Sequence, residues 1–176
     1  MQMKHQSQEV PAQWVEKYVS LIPEIGQVLD LACGGGRHSR YLLAKGYSVL
    51  ALDKDISGLA DLGGAPNLEI LEFDLENGKA FPLRDRKFSG IIVVNYLFRP
   101  ILGDLIDVLA EGGVLIYQTF MLGNEAYGRP RNPDFLLKEN ELREVFGASL
   151  DVVAFEQGYV ERPAPAVVQK ICAVKR

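Results

Sequence analysis

The stretch Val28-Leu29-Asp30-Leu31-Ala32-Cys33-Gly34-Gly35-Gly36-Arg37 allows few folds. An apolar run of strand length stops around an acid, turns through three successive glycines and passes into a segment with helical spacing. Glycine reaches positive φ and lets a ligand approach main-chain N–H groups closely. Strand, glycine turn and helix in that order describe the ligand loop of an open α/β sheet. In the dinucleotide version of such a loop a pyrophosphate sits on the helix N-terminus. Asp30 places negative charge there instead, which argues against a phosphate and for a cationic ligand.

The rest of the chain alternates in the way a parallel sheet requires. Strand-length apolar runs cover Gln27 to Leu31, Tyr47 to Leu52, Asn67 to Phe73, Phe88 to Asn95 and Val114 to Phe120. Runs such as Gly90-Ile91-Ile92-Val93-Val94 are apolar without interruption, as expected where helices cover both faces of a sheet. Helices are predicted over Arg37 to Lys45, stopped by Gly46, and over Pro100 to Glu111, stopped by Gly112. Ile56 to Pro66 leaves room for a short helix only, and Glu76 to Lys87 reads as loop. A polar segment, Met121 to Pro133, precedes a helix around Lys138 to Phe146, and Leu150 to Phe155 and Val167 to Val174 form a closing hairpin. Val10 to Ile22 opens with Pro11 and carries Trp14, Tyr18, Leu21 and Ile22 at helical spacing, predicting an amphipathic helix.

At 176 residues the chain suits one domain, read as 1–176, with a helical cap over 1–24 and a core over 27–176. A net charge of −4 offers no basic surface, which sets nucleic acid aside as a main partner. No apolar run approaches a membrane span and Met1 to Gln8 lacks the apolar core of a secretory signal, so a cytoplasmic location is expected. Cys33 and Cys172 have neither metal-ligand spacing nor a framework of partners; reduced thiols and no metal site are expected.

The glycine loop resembles motif I of the class I S-adenosylmethionine (SAM)-dependent methyltransferases, an acid followed by glycines at alternate positions. Asp30, Gly34 and Gly36 match, and Ala32 replaces the first glycine. A nicotinamide or flavin fingerprint fits less well, because Ser39 stands where its third glycine belongs. The resemblance covers the chain from Gln27 onward. It implies a Rossmann-like α/β methyltransferase fold: one mostly parallel seven-stranded sheet, an antiparallel final strand and helices on both faces. It further implies SAM as cofactor and S-adenosylhomocysteine (SAH) as product.

Ligands of such sheets bind beyond the carboxyl ends of the strands. The resemblance gives Asp53, at the end of the second predicted strand, the two ribose hydroxyls, with Lys54 beside it. It gives Asp74, at the end of the third, the adenine amino group, while the N–H of Leu75 meets the ring. Ile56, Leu75 and Phe73 are candidates to sandwich the adenine, Phe73 being better read as core. Ala32, Cys33 and Asn95 complete the expected cofactor set, Cys33 as a packing residue without chemistry. Arg37 and His38, in the first helical turn, read either as contacts of the methionine carboxylate or as helix surface.

Methyl transfer from a sulfonium is an in-line displacement with an excellent leaving group, so alignment and exclusion of water carry most of it and a base is optional. The acceptor wall is expected from Tyr96, Arg99, Phe120, Tyr127, Arg129 and Arg131. No catalytic base stands out among them. Asn95-Tyr96-Leu97-Phe98 begins like the Asn-Pro-Pro-Tyr loop of amino-group methyltransferases but lacks both prolines, which counts against adenine or glutamine nitrogen as acceptor. Arg99, Arg129, Arg131 and Arg162 suit an anionic acceptor, since guanidinium groups grip oxyanions bidentately, but solvated loop charges are an equal alternative. The Arg-Pro-Arg-Asn-Pro-Asp segment and the short chain are similar to small bacterial methyltransferases of the tellurite-resistance type, which implies a small molecule or a chalcogen oxyanion as acceptor. A catalytically silent SAM-binding module and a nucleotide-dependent oxidoreductase remain as other readings.

Overall fold

The computed structural model describes residues 10–176. Seven strands form one sheet: β1 (Gln27–Leu31), β2 (Ser48–Asp53), β3 (Leu68–Glu72), β4 (Phe88–Val94), β5 (Leu109–Phe120), β6 (Asp151–Val160) and β7 (Ala166–Val174). Their order is β3-β2-β1-β4-β5-β7-β6. β1 to β5 pair in parallel, and β7 runs antiparallel between β5 and β6. Strand order reverses between β1 and β4, so the crevice of this sheet opens at their carboxyl ends.

The uninterrupted apolar strands are explained by two cores, one on each face. Leu29, Leu50, Leu52, Ile91, Val93, Leu115 and Tyr117 point to one face, where α3 (Leu102–Val108) and α4 (Glu141–Gly147) cover them. Val28, Val49, Ile92, Val114 and Ile116 point to the other, under α1 (Gln13–Tyr18) and α2 (Arg37–Ala44). This is the period-two alternation of a strand with both sides buried. No helix joins β3 to β4; Leu75, Phe81 and Leu83 of that connection are buried and cover the first face instead.

Several predicted boundaries move. The first helix spans Gln13–Tyr18, followed by a 3-10 turn over Val19–Leu21, because Val10 and Ala12 are drawn toward α2: Arg37 Nη1 donates to Val10 O and the Ala12 N–H donates to His38 Nε2. Trp14 is buried, and its indole N–H donates to Ile171 O across the sheet. The predicted cap therefore packs on the sheet over residues 10–22, and its first nine residues lie outside the described ones. α3 stops at Val108, three residues before the predicted end, since Leu109 turns extended and pairs with Phe88. The last hairpin is longer than predicted, β6 continuing past Phe155 to Val160 opposite Ala166. Among the described residues no helix is long and apolar enough to cross a membrane.

Candidate functional site

The loop after β1 is held by backbone bonds that its glycines permit. The N–H of Cys33 donates to Leu52 O (3.0 Å), that of Gly36 to Cys33 O (2.9 Å) and that of Gly34 to Asp53 Oδ2 (2.9 Å). Ala32, Gly34 and Gly36 all have positive φ, at 53°, 53° and 85°. A Cβ on Gly36 would fall 2.3 Å from Leu59 Cδ2, so a side chain here would displace Leu59 as well as strain the backbone at φ 85°. Ala32 occupies a left-handed conformation that glycine adopts without strain, and it lines the ligand cleft.

Asp30 lies beneath this loop, 2% exposed, with its Oδ2 accepting a 2.7 Å hydrogen bond from Ser39 Oγ. Burial pushes its carboxyl up to about 6, against the opposing pull of Ser39 and Arg37. Ser39 is the residue that stands in place of a third glycine, and the structure turns it into the partner of the acid. His38 is buried as well; burial and then Arg37 lower its imidazole to about 3, so it is neutral and accepts from Ala12.

A cleft of about 420 Å³ opens at the carboxyl ends of β1 to β4, lined by Ala32, Leu52, Asp53, Lys54, Phe73, Asp74, Leu75, Glu76, Asn95 and Tyr96. Among the described residues that line it are three carboxylates, Asp53, Asp74 and Glu76, and one ammonium, Lys54. Asp53 ends β2 and Asp74 follows β3; their Oδ1 atoms accept the N–H groups of Asp55 and Glu76, both at 2.9 Å, which fixes each carboxylate at its strand end. Asn95 follows β4 with φ at 59°, its N–H donating to Gln118 O. The next residue, Tyr96, donates its hydroxyl to Glu76 Oε2 at 3.4 Å and receives on its carbonyl the hydroxyl of the buried Tyr117 at 2.7 Å. Burial, then Glu76, push the Tyr96 phenol up, so it stays protonated.

Of the residues expected around the cofactor, Ala32, Asp53, Lys54, Asp74, Leu75 and Asn95 meet in this cleft, and Gly34 joins them through Asp53. Asp30, Cys33, Gly36 and Arg37 do not line it. Cys33 is buried with Ala51 and Leu59, and burial pushes its thiol up, away from reactivity. Ile56 packs beside that cluster, also outside the cleft. Phe73, read as core, both packs on the core and lines the cleft.

On the acceptor side, Tyr96 lines the cleft and Phe120 ends β5 half-buried. Tyr127 is half-exposed against Tyr159, with ring centroids 5.2 Å apart. Arg129 and Arg131 are exposed on the segment between two 3-10 turns, and Arg162 on the β6–β7 loop. Arg99 does not join them. Its Nε and Nη2 grip Glu141 at 2.6 and 3.0 Å, and Nη1 and Nη2 donate to the carbonyls of Asp134 and Leu136. The expectation of an acceptor-binding Arg99 is therefore corrected: its fork ties the 134–141 segment to the turn before α3.

Two residues of the loop's surroundings are absent from the sequence reading. Arg40 donates through Nη1 to Gly35 O at 2.5 Å and through Nη2 to Gly58 O at 3.2 Å and Asp61 Oδ1 at 2.5 Å. Gly58 brings the 3-10 turn Ser57–Leu62 against the loop so closely that a Cβ there would lie 2.9 Å from Gly35 Cα. The signal for Arg40 is its place four residues after Gly36, one helical turn above the loop.

The family model of the tellurite resistance protein TehB matches residues 4–157. No curated protein sequence matches the chain. Among solved structures, TehB from Haemophilus influenzae superposes with a TM-score of 0.73 at 20% identity, over 98% of this chain and 65% of that one. This chain thus spans less than two thirds of that protein. The glycopeptide N-methyltransferase MtfA, solved with SAM, gives 0.66 at 19% identity over the full length of both chains. The N-methyltransferase NodS from Bradyrhizobium japonicum WM9 gives 0.66 at 13% identity, covering 93% of this chain and 94% of that one. The shared element is the seven-stranded sheet described above, and with most of its length matched by the family model the chain belongs to the tellurite resistance protein TehB family.

Proposed function

We propose that this protein transfers a methyl group from SAM to a small anionic acceptor. The observation that carries the reading is the charge of the cleft: among the described residues that line it are Asp53, Asp74 and Glu76 against one Lys54, next to a loop underlain by Asp30. A pyrophosphate would be repelled there, whereas SAM, with a sulfonium and an ammonium against one carboxylate, is a net cation. The relatives that share the fold, one of them solved with SAM, support the same donor.

When bound, the donor supplies an activated methyl group on a good leaving group. The chain's task is alignment and exclusion of water. Asp53 offers its free lone pairs to the ribose, and Asp74 and Leu75 address the adenine. Asn95 and Tyr96 form the rim between donor and acceptor. His38 is unsuited as a base, being buried, neutral and engaged with Ala12, and the Tyr96 phenol stays protonated. An acceptor that carries its own negative charge needs neither.

The first test is thermal shift with SAH, with NAD and NADP as controls. Saturation at about a hundredfold over Kd stabilises by roughly 2.7 kcal/mol, or about 5–10 °C for a chain of this size. SAH alone is expected to shift the melt; a larger shift with a nicotinamide cofactor overturns the reading. SAH release from SAM is then followed with tellurite, selenite and small thiols as acceptors, and turnover separates an enzyme from a silent binding module. Arg129→Ala combined with Arg131→Ala is expected to raise KM for an anionic acceptor about tenfold or more with SAM binding unchanged. Unaltered turnover of the active acceptor removes these arginines from the site.

A further inference from the structure

We infer that Arg40 is a positioning residue of the cofactor loop, bracing Gly35 from the side opposite the ligand; the inference rests on the SAM reading above. Gly34, Gly35 and Gly36 are consecutive, so this stretch has more backbone freedom to lose than any other of its length in the chain. On the cleft side it is tied through the Gly34 N–H to Asp53, the same carboxylate that the ribose is to use. On the outer side the tie is Arg40. Its guanidinium spans three acceptors at once, the carbonyls of Gly35 and Gly58 and the carboxylate of Asp61.

The sterics around it are matched to this role. A Cβ on Gly36 would lie 2.8 Å from Arg40 Nη1, so the absence of a side chain at Gly36 leaves room for the guanidinium. A Cβ on Gly58 would press on Gly35 Cα at 2.9 Å, so Gly58 lets the 3-10 turn come close enough for one guanidinium to hold both backbones. The backbone N–H of Arg40 itself donates to Gly36 O at 2.9 Å, which seats the residue directly after the loop. Arg40 does not line the cleft, and its contacts leave the ligand's place untouched. Its brace therefore stays in force when the ligand engages Asp53. A planar fork with donors on several sides is needed for this; an ammonium is a point charge on a flexible stem.

Without the brace the three glycines sample more conformations in the free protein, and binding must order them. Arg40→Ala is expected to weaken SAH binding about tenfold and Arg40→Lys about fivefold, because ordering three glycines then falls on the binding step. Asp61→Ala removes only an exposed ion-pair partner and is expected to leave affinity within about twofold. Isothermal titration with SAH reads the affinities, and hydrogen exchange of the 33–36 amides reads the loop in the free proteins. Faster exchange of those amides in Arg40→Ala, together with the weaker SAH binding, supports the brace. Wild-type affinity in Arg40→Ala, or unchanged loop exchange, overturns it, as does a fall in melting temperature with affinity intact. If the wild type itself does not bind SAH, the donor reading fails and this role for Arg40 with it; that outcome is distinct from a wild type that binds and a variant that binds equally well.

Discussion

Asp30→Asn is expected to raise the melting temperature by about 4–8 °C while weakening SAM binding about tenfold or more. The carboxyl is 2% exposed and burial lifts it to about 6 from an ordinary value of 3.8. A shift of that size corresponds to about 3 kcal/mol of stability lost at neutral pH. Asparagine has nearly the same shape, keeps an oxygen to accept from Ser39 Oγ and carries no charge to bury. Its amide protons need partners of their own, so a net gain of about 2 kcal/mol is the expected result. Affinity moves the other way because a negative charge beneath the loop favours a cationic ligand above it. A buried charge that the free fold would be more stable without points to use by a ligand. Loss of stability in Asp30→Asn, or unchanged SAM affinity, would sink this account.

The pH dependence follows from the same carboxyl. Its folded-state value lies above the unfolded one, so the folded protein holds this proton more tightly. The favourable contribution is complete below about pH 4 and is lost as the pH rises to about 6. Asp55 and Glu69, whose values are lowered by hydrogen bonds from Ser57 and Arg86, act in the opposite sense at the acid end. The clean observable is therefore a difference: the stability gap between Asp30→Asn and wild type shrinks from pH 7 to pH 4. Wild-type SAM affinity falls as the pH drops through about 6, where Asp30 takes up its proton, and Asp30→Asn stays level across that window.

What was legible in the sequence is what depends on neighbours along the chain. The strands announce themselves by uninterrupted apolar runs because both faces of the sheet are buried, and the three acids are visible because strand ends are local features. Parallel pairing puts all the carboxyl ends on one side, so Asp53 and Asp74 meet in one cleft, while Asp30 lies buried beneath the neighbouring loop. Roles decided by distant partners were not legible. Arg99 looks like a loop arginine free for an anion, yet Glu141 lies 42 residues away and takes its fork. Arg40 and Gly58 are 18 apart, and only the approach of the 3-10 turn to the glycine loop gives either a task. The stop of α3 at Val108 was hidden because Leu109 continues the apolar stripe, but its backbone goes to Phe88. Tyr117 falls inside the predicted strand Val114 to Phe120, and its hydroxyl finds Tyr96 only because β5 lies beside β4.

Asp53→Ala is expected to weaken SAH binding by about a hundredfold or more, the largest effect of a single side chain at this site. The carboxylate has two tasks that one substitution removes together. In the free protein Oδ2 holds the Gly34 N–H and Oδ1 the Asp55 N–H, leaving one lone pair on each oxygen directed elsewhere. Two adjacent sugar hydroxyls match those lone pairs, and hydrogen bonds to a carboxylate are worth about 1.5–3 kcal/mol each. A loss of about 2.7 kcal/mol, a factor of about a hundred, is thus a conservative expectation. Loop and ribose contributions are separable by changing the ligand as well as the protein. For wild type, SAH lacking its 2′-hydroxyl is expected to bind about tenfold more weakly than SAH; for Asp53→Ala the two ligands are expected to bind alike, since the acceptor of that hydroxyl is gone. If the variant still discriminates between them as the wild type does, the ribose is held elsewhere, and Asp53 acts only by fixing the glycine loop through Gly34.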